Sequence, residues 1–262
     1  MTTTRHTLLL LGREHPEFGA PTVESTGAGR SAAAISAGAH PGIPSMQHKG
    51  DRGVPNEDAL ALVEEGPRTL LLVADAHHGH EASHVLAEKL AEGPIPDDPE
   101  TLRTRVTTLS SEHARTTSRT TLSICVVDRA AGRAFGLQWG DSSIATVTET
   151  ETVRRTMPVP TYVDADTVST TPPQRFAFDL KGVRFVLAYT DGVNECHYRS
   201  PATSIQPHHV QMLARNAEGD VTVFADMLAR RALRGVEGNP GGQDNIALGV
   251  TRVVDEPSKG RP

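Results

Sequence analysis

Apolar positions recur along this chain with two periods, one belonging to strands and one to helices. Thr69 to Ala74 (TLLLVA) is an unbroken apolar run of strand length, the pattern of a buried strand. It ends in an Asp-Ala-His-His-Gly-His cluster at 75 to 80. Beyond that cluster Ala82, Val85, Leu86 and Leu90 fall on one face of a repeat of about 3.6 residues, and Leu102, Val106 and Leu109 predict a second helix. Short β-branched or aromatic runs bounded by Gly or Asp predict strands at 121–127, 134–139, 144–147, 183–188 and 246–250. Helical spacing returns at 208–215, and again at 221–233, where Phe224, Met227, Leu228 and Ala232 share a face. A strand is expected at 7–11. The stretch 27–44, rich in Gly, Ala and Ser and nearly free of large apolar residues, reads as a loop, and 255–262 reads as a flexible tail. No internal repeat is present. Strands, two helices, a run of strands, two helices and a last strand predict one α+β layered domain over 1–262, not a regular βαβ alternation.

Composition narrows the function classes. At 262 residues and 37% hydrophobic the chain can bury a core. Its formal charge of −6 supplies no basic stripe for a phosphate backbone. An aromatic content of 4% removes the stacking platforms of single-strand binders, so no nucleic-acid partner is expected. Cys125 and Cys196 stand far apart and outside any metal-ligand spacing, which argues against a disulfide scaffold or a zinc site and fits a reducing cytoplasm. The apolar run Leu8 to Leu11 is too short for a signal-peptide core, and no window approaches the ~20 apolar residues of a bilayer span. The expectation is a cytoplasmic protein without a membrane partner.

Charge matters more by position than by sum. Glu57 and Asp58 in PNEDAL, Asp75 in VADAHHGH, Asp141 in WGDSS, Asp191 in AYTDGVNE and Asp244 in GGQDNIAL lie at strand ends or loops beside Gly, Asn or Ser. Taken singly, each reads as a turn former or helix cap. Asp191-Gly192 also reads as a hairpin turn, although no strand resumes after Val193. Taken together they form a set of carboxylates at the rims of buried strands, and like charges so gathered must protonate or share a cation. A hard ion with oxygen ligands, Mg²⁺ or Mn²⁺, suits that donor set.

In chain order NED at 56–58, DAHHGH at 75–80, TTL at 120–122, GDS at 140–142, TDG at 190–192 and DN at 244–245 resemble the motif series of the PP2C-type, metal-dependent protein Ser/Thr phosphatases. The resemblance runs from about Ser45 to Val254. Each motif alone is unspecific; their order and spacing carry the likeness. The resemblance implies a β-sandwich of two antiparallel sheets flanked by helix pairs, with two Mn²⁺ or Mg²⁺ ions at one end. By position it implies that Asp75 bridges both ions and that the carbonyl of Ala76 is a ligand of the second. Asp191 and Asp244 would complete the first, Asp58, alone or with Glu57, would hold the second, and Asp141 with Asp191 would hold a weaker third. The implied reaction is hydrolysis of phosphoserine or phosphothreonine in a protein by a metal-activated water, with His77 protonating the leaving oxygen. Read without the resemblance, His77 is one of three neighbouring histidines, any of which is also served by an exposed or helix-orienting role.

Two departures from the family pattern bear on activity. Ala76 stands where Gly is usual, which costs on the order of 1 kcal/mol if the backbone there takes a positive φ. The phosphate-binding Arg expected before the NED acids is matched only by Arg52, one residue too far from Asp58, with Lys49 as a substitute point charge and an ordinary loop cation as the plain alternative. Besides a working, monomeric phosphatase, two readings therefore stay open: a metal-binding but weakly active regulatory module, and a hydrolase of small phosphate monoesters with substrate choice set by loops such as 196–207.

Overall fold

The computed structural model describes residues 4–50, 53–112, 118–163 and 172–254. Its first half comprises β1 (Arg5–Leu11), β2 (Thr22–Ser25), β3 (Ser31–Ser36), α1 (Pro44–Gly50), β4 (Ala59–Glu65), β5 (Arg68–Ala74), β6 (Ala76–His77), α2 (Glu81–Glu92) and α3 (Pro99–Glu112). There follow β7 (Arg119–Thr120), β8 (Leu122–Asp128), β9 (Arg133–Trp139), β10 (Ser143–Val147), β11 (Thr152–Arg154) and β12 (Gln174–Asp179). The chain continues through β13 (Phe185–Tyr189), α4 (Asp191–Asn194), α5 (Pro207–Asn216), α6 (Val221–Arg234) and β14 (Ile246–Arg252). One sheet has the order β1-β4-β5-β8-β9-β12 and the other β11-β10-β13-β14-β3-β2, with a small ladder of β6 and β7 beside them. Every pairing is antiparallel.

The two sheets pack face to face. Leu60 and Leu62 of β4, Leu71 and Val73 of β5 and Cys125 of β8 meet Ile35 of β3, Ile144 of β10, Val186 of β13 and Ala247 of β14. The alternate residues of the first sheet, among them Val63, Leu70, Leu72 and Ile124, pack under Leu86 and Leu90 of α2 and Leu102 and Val106 of α3. On the far side Leu187, Leu248 and Val250 lie under Phe224 and Leu228 of α6 and Val210 and Leu213 of α5. Both faces of the inner strands are thus covered, which explains why TLLLVA shows no polar alternation. Each such Leu or Ile contributes roughly 1.5–3 kcal/mol by leaving water. The result is the α+β sandwich of two antiparallel sheets between helix pairs.

Several details differ from the sequence pattern, among them β2, α1, β11 and β12, which it does not predict. The stretch 27–44 is not a loop throughout: Ser31–Ser36 forms β3, whose six residues are all buried between β14 and β2. Ala and Ser fit there because α6 lies close over this strand, so small side chains are what the space admits. In α2 the buried face takes in Ser83 and Ala87, while Val85 is only half-buried. The strand β4, ALALVEE, escapes the sequence pattern because its Ala residues dilute an otherwise apolar run. Arg52 and the 255–262 tail lie outside the described residues. Among the described residues no helix is long and apolar enough to cross a membrane.

Candidate metal centre

Antiparallel pairing brings the predicted carboxylates to one end of the sandwich. Ala59 at the start of β4 pairs with Ala74 at the end of β5, which sets Asp58 beside Asp75. Ser143 at the start of β10 pairs with Tyr189 at the end of β13, and Tyr189 pairs with Leu248 of β14, so Asp141, Asp191 and Asp244 arrive at the same rim. One carboxylate oxygen from each of Asp75, Asp141 and Asp191 lies within 4.8 Å of the others.

Hydroxyls and small residues fix this rim. The Thr190 hydroxyl donates to Asp58 Oδ2 (2.8 Å) while accepting from the Ala247 amide (3.0 Å), tying the TDG segment to the NED acid. Thr121 Oγ1 accepts from the Asp75 amide (3.2 Å) and shares a 2.7 Å hydrogen bond with Ser142 Oγ. Gly140 sits at φ +89°, and a Cβ there would lie 2.5 Å from Thr121 Cγ2, so the GDS turn needs glycine. From α2, Ser83 Oγ donates to the Glu57 carbonyl (2.6 Å) and His84 Nε2 to the Asp58 carbonyl (3.2 Å). Burial pushes His84 down to about 3, which keeps it a neutral donor. Asn245 is the hub of the DN motif: its Oδ1 accepts from Lys49 Nζ (2.8 Å) and the Glu57 amide (3.0 Å), and its Nδ2 donates to the carbonyls of Ala37 (3.2 Å) and Pro55 (2.8 Å).

The electrostatics follow from burying so many anions. Burial is the leading cause that raises Asp58 to about 7, with Asp244 and Asp191 adding repulsion and Lys49 opposing them. Asp75 and Asp191 are raised well above the usual carboxylate range, first by burial and then by their anionic neighbours, and Asp141 is raised, chiefly by burial. Lys49, 5% exposed, lies against them with Nζ 2.6 Å from Asp244 Oδ1. Burial alone would lower its pKa; the charges of Asp244, Asp75 and Asp58 outweigh this and raise it, so the ammonium stays charged.

The donor set fits a divalent ion. Among the described residues Oδ1 of Asp58, Asp75, Asp141 and Asp191 has no hydrogen-bond partner, an expensive condition for buried carboxylate oxygens unless a cation completes them. Oxygens bound to one hard cation at about 2.0–2.6 Å stand no more than about 4–5 Å apart, the span observed for Asp75, Asp141 and Asp191. Asp244 joins the cluster with its Oδ1 on Lys49, and Glu57 directs its Oε1 to the Gly79 amide (3.0 Å). Ala76 lies in β6 and is not among the residues of positive φ; the left-handed conformation falls instead on His78 (φ 66°), so the expected penalty at Ala76 does not arise. His77 follows Ala76, with its ring edge-on to Tyr162 at 5.1 Å, and burial followed by the field of Lys49 pushes its imidazole down to about 4. A second group of possible ligands, His208, His209 and Glu237, lies elsewhere, at the start of α5. There His209 Nδ1 accepts the Gln206 amide and so serves the helix cap.

Lys49 appears in the sequence only as a substitute cation, Thr190 and Asn245 only as members of the TDG and DN motifs with no role of their own, and nothing there marks Arg119 or Tyr162. Their parts depend on partners distant in the chain, 132 residues away for Thr190 with Asp58 and 196 for Asn245 with Lys49, or on the ladder of β6 and β7 and the Tyr162 ring beside it.

No family model matches the chain, and no curated protein matches it. Solved structures do. A bacterial serine phosphatase superposes with a TM-score of 0.67 at 15% identity, covering 87% of this chain and 98% of that one. The fold is that of the PP2C-type phosphatases. The catalytic domain of the serine/threonine protein phosphatase PstP, in complex with two manganese ions, gives 0.63 at 22% identity over 86% and 98% of the two chains. Serine/threonine phosphatase Stp1 from Staphylococcus aureus gives 0.63 at 16%, covering 77% and 90%. At these identities it is the PP2C-type fold that is shared, and chemistry has to be argued from the site.

Proposed function

We propose that this protein is a metal-dependent phosphomonoester hydrolase acting on phosphoserine and phosphothreonine in proteins, with Asp75, Asp141 and Asp191 holding a divalent ion and Asp58 a second. The observation that carries the reading is the convergence of four carboxylates, each with a buried oxygen that has no hydrogen-bond partner among the described residues, at one end of a PP2C-type sandwich. Asp75 is the bridging candidate because it stands between Asp58 and the pair Asp141 and Asp191. Thr190 and Thr121 keep Asp58 and Asp75 in place before any ion arrives, which lowers the cost of assembling the site. When bound, the ions supply a water of lowered pKa and positive charge against the phosphoryl oxygens. His77 borders the cluster and is assigned the contact with the leaving Ser or Thr oxygen; Ala76 is assigned a carbonyl ligand, and Glu57 the support of Asp58 and of the loop at Gly79.

One observation favours a second reading. The Lys49 ammonium already neutralises Asp244, the acid expected on the first ion, so a protein that binds metal weakly and acts as a regulatory module is the alternative. Hydrolysis of p-nitrophenyl phosphate and of a phosphothreonine peptide, with Mn²⁺ or with chelator, separates the two. The phosphatase reading expects Mn²⁺-dependent release of phosphate that Asp191→Asn lowers at least 100-fold, on the order of other single electrostatic contributors to catalysis. Folded wild-type protein with no metal-dependent turnover would leave the regulatory reading standing.

A further inference from the structure

Among the described residues, Arg119 stands apart from the other basic side chains beside the carboxylate cluster. Lys49 pairs with Asp244 and Asn245. Arg154 donates from Nη2 to the Asp141 carbonyl (2.9 Å). Arg119 makes no ion pair and no side-chain hydrogen bond among the described residues, and its Nε is buried without a partner. It is nonetheless held in place. Arg119 is the cross-strand partner of His77 in the β6-β7 ladder, and its guanidinium carbon lies 4.2 Å above the ring of Tyr162. The same ring meets His77 edge-on. β6 begins directly after Asp75, and Tyr162 lies in the field of Asp75, Asp141 and Asp191, so ring, imidazole and guanidinium stand on the carboxylate side of the ladder.

A guanidinium held over an aromatic face by cation–π attraction has no competing anion there, and its planar fork is able to donate two parallel hydrogen bonds. That geometry matches two oxygens of a phosphoryl group, and the missing anion is what an approaching phosphate would supply. We infer that Arg119 is a phosphate-binding residue of this site, docking the non-bridging oxygens of a phosphomonoester beside His77. The inference rests on the phosphatase reading for its substrate, but not for its ligand, which is any phosphate dianion. It also assigns Tyr162 as a positioning residue that orients the fork.

The test compares wild type, Arg119→Gln, Arg119→Lys and Tyr162→Leu at saturating Mn²⁺. The readouts are KM and kcat for p-nitrophenyl phosphate, Ki for inorganic phosphate, calorimetric binding of inorganic phosphate, and Mn²⁺ affinity by electron paramagnetic resonance. Arg119→Gln is expected to raise KM and Ki together by roughly 10- to 100-fold, the span of a lost hydrogen bond to a charged group. Under the inference kcat stays within about threefold and Mn²⁺ affinity is unchanged. Arg119→Lys recovers only part of the loss because the fork is gone, and Tyr162→Leu weakens phosphate with the guanidinium still present. Phosphate binding unaltered in Arg119→Gln overturns the inference even if hydrolysis is intact. Phosphate binding that requires Arg119 in a wild-type protein unable to hydrolyse any ester upholds it and overturns the phosphatase reading instead.

Discussion

A lysine ammonium buried among carboxylates acts as a tethered monocation, with one point charge and no coordination sphere to offer. Lys49 plays that part, its Nζ between Asp244 and Asn245, and an ion that takes Asp244 Oδ1 as a ligand must compete with it. Lys49→Met tests this competition. Losing one partner of a buried pair leaves an uncompensated charge, so the metal-free variant is expected to lose about 3–5 kcal/mol of stability. Mn²⁺ is then expected to raise the melting temperature of Lys49→Met by more than it raises that of wild type, as thermal unfolding with EDTA and with Mn²⁺ would show. An equal increment in both proteins contradicts the competition. At this scale the carboxylates were legible because apolar runs end on them: VLAYTD and LLVAD announce an acid at the mouth of a buried strand. The pairing of Lys49 and the part Asn245 plays within its DN motif were not, since both depend on buried hydrogen bonds spanning about 190 residues of chain, and no local pattern encodes those.

Elements set the spacing of the acids. The single turn α4 begins at Asp191, directly after β13, and presses against the start of β14. Gly192 makes this contact possible: a Cβ there would lie 1.7 Å from the carbonyl oxygen of Asn245. Gly192→Ala must therefore push α4 off β14 and part Asp191 from the Asp244 segment. Overpacking of this kind costs typically 1–3 kcal/mol, and urea denaturation is expected to show a loss in that range together with weaker Mn²⁺ binding by calorimetry. Stability within about 0.5 kcal/mol of wild type, the range of neutral substitutions, would count against the packing account. The Asp-Gly pair thus has a helical and steric reason, not the hairpin that its composition equally allows. Long periodic elements were readable, α6 and β5 above all, because their faces are dictated by the layer they cover. The strand β3 was not: it is built of Ala and Ser, and its burial follows from the close approach of α6, a tertiary fact.

The whole molecule combines a net charge of −6 with a cluster of acids at one end of the sandwich and Arg119 on the ladder beside it. Net charge alone excludes a polyanion spread over the surface, but not a single phosphate drawn to a site where, under the proposed function, bound dications and Arg119 would offset the local carboxylates. The sandwich supplies what the chemistry needs: strands of both sheets deliver acids from five distant segments to one rim, and covered faces keep them in low dielectric, where unmet charge is expensive. The central claim is that Asp75, Asp141 and Asp191 gather in order to hold a divalent ion. Anomalous diffraction at the manganese edge, from crystals grown with Mn²⁺, tests it most directly. The account predicts a peak within coordination distance of Asp75 and Asp191, absent in Asp191→Asn. Mn²⁺ density confined to His208, His209 and Glu237, with the Asp75 cluster free of metal, would contradict it.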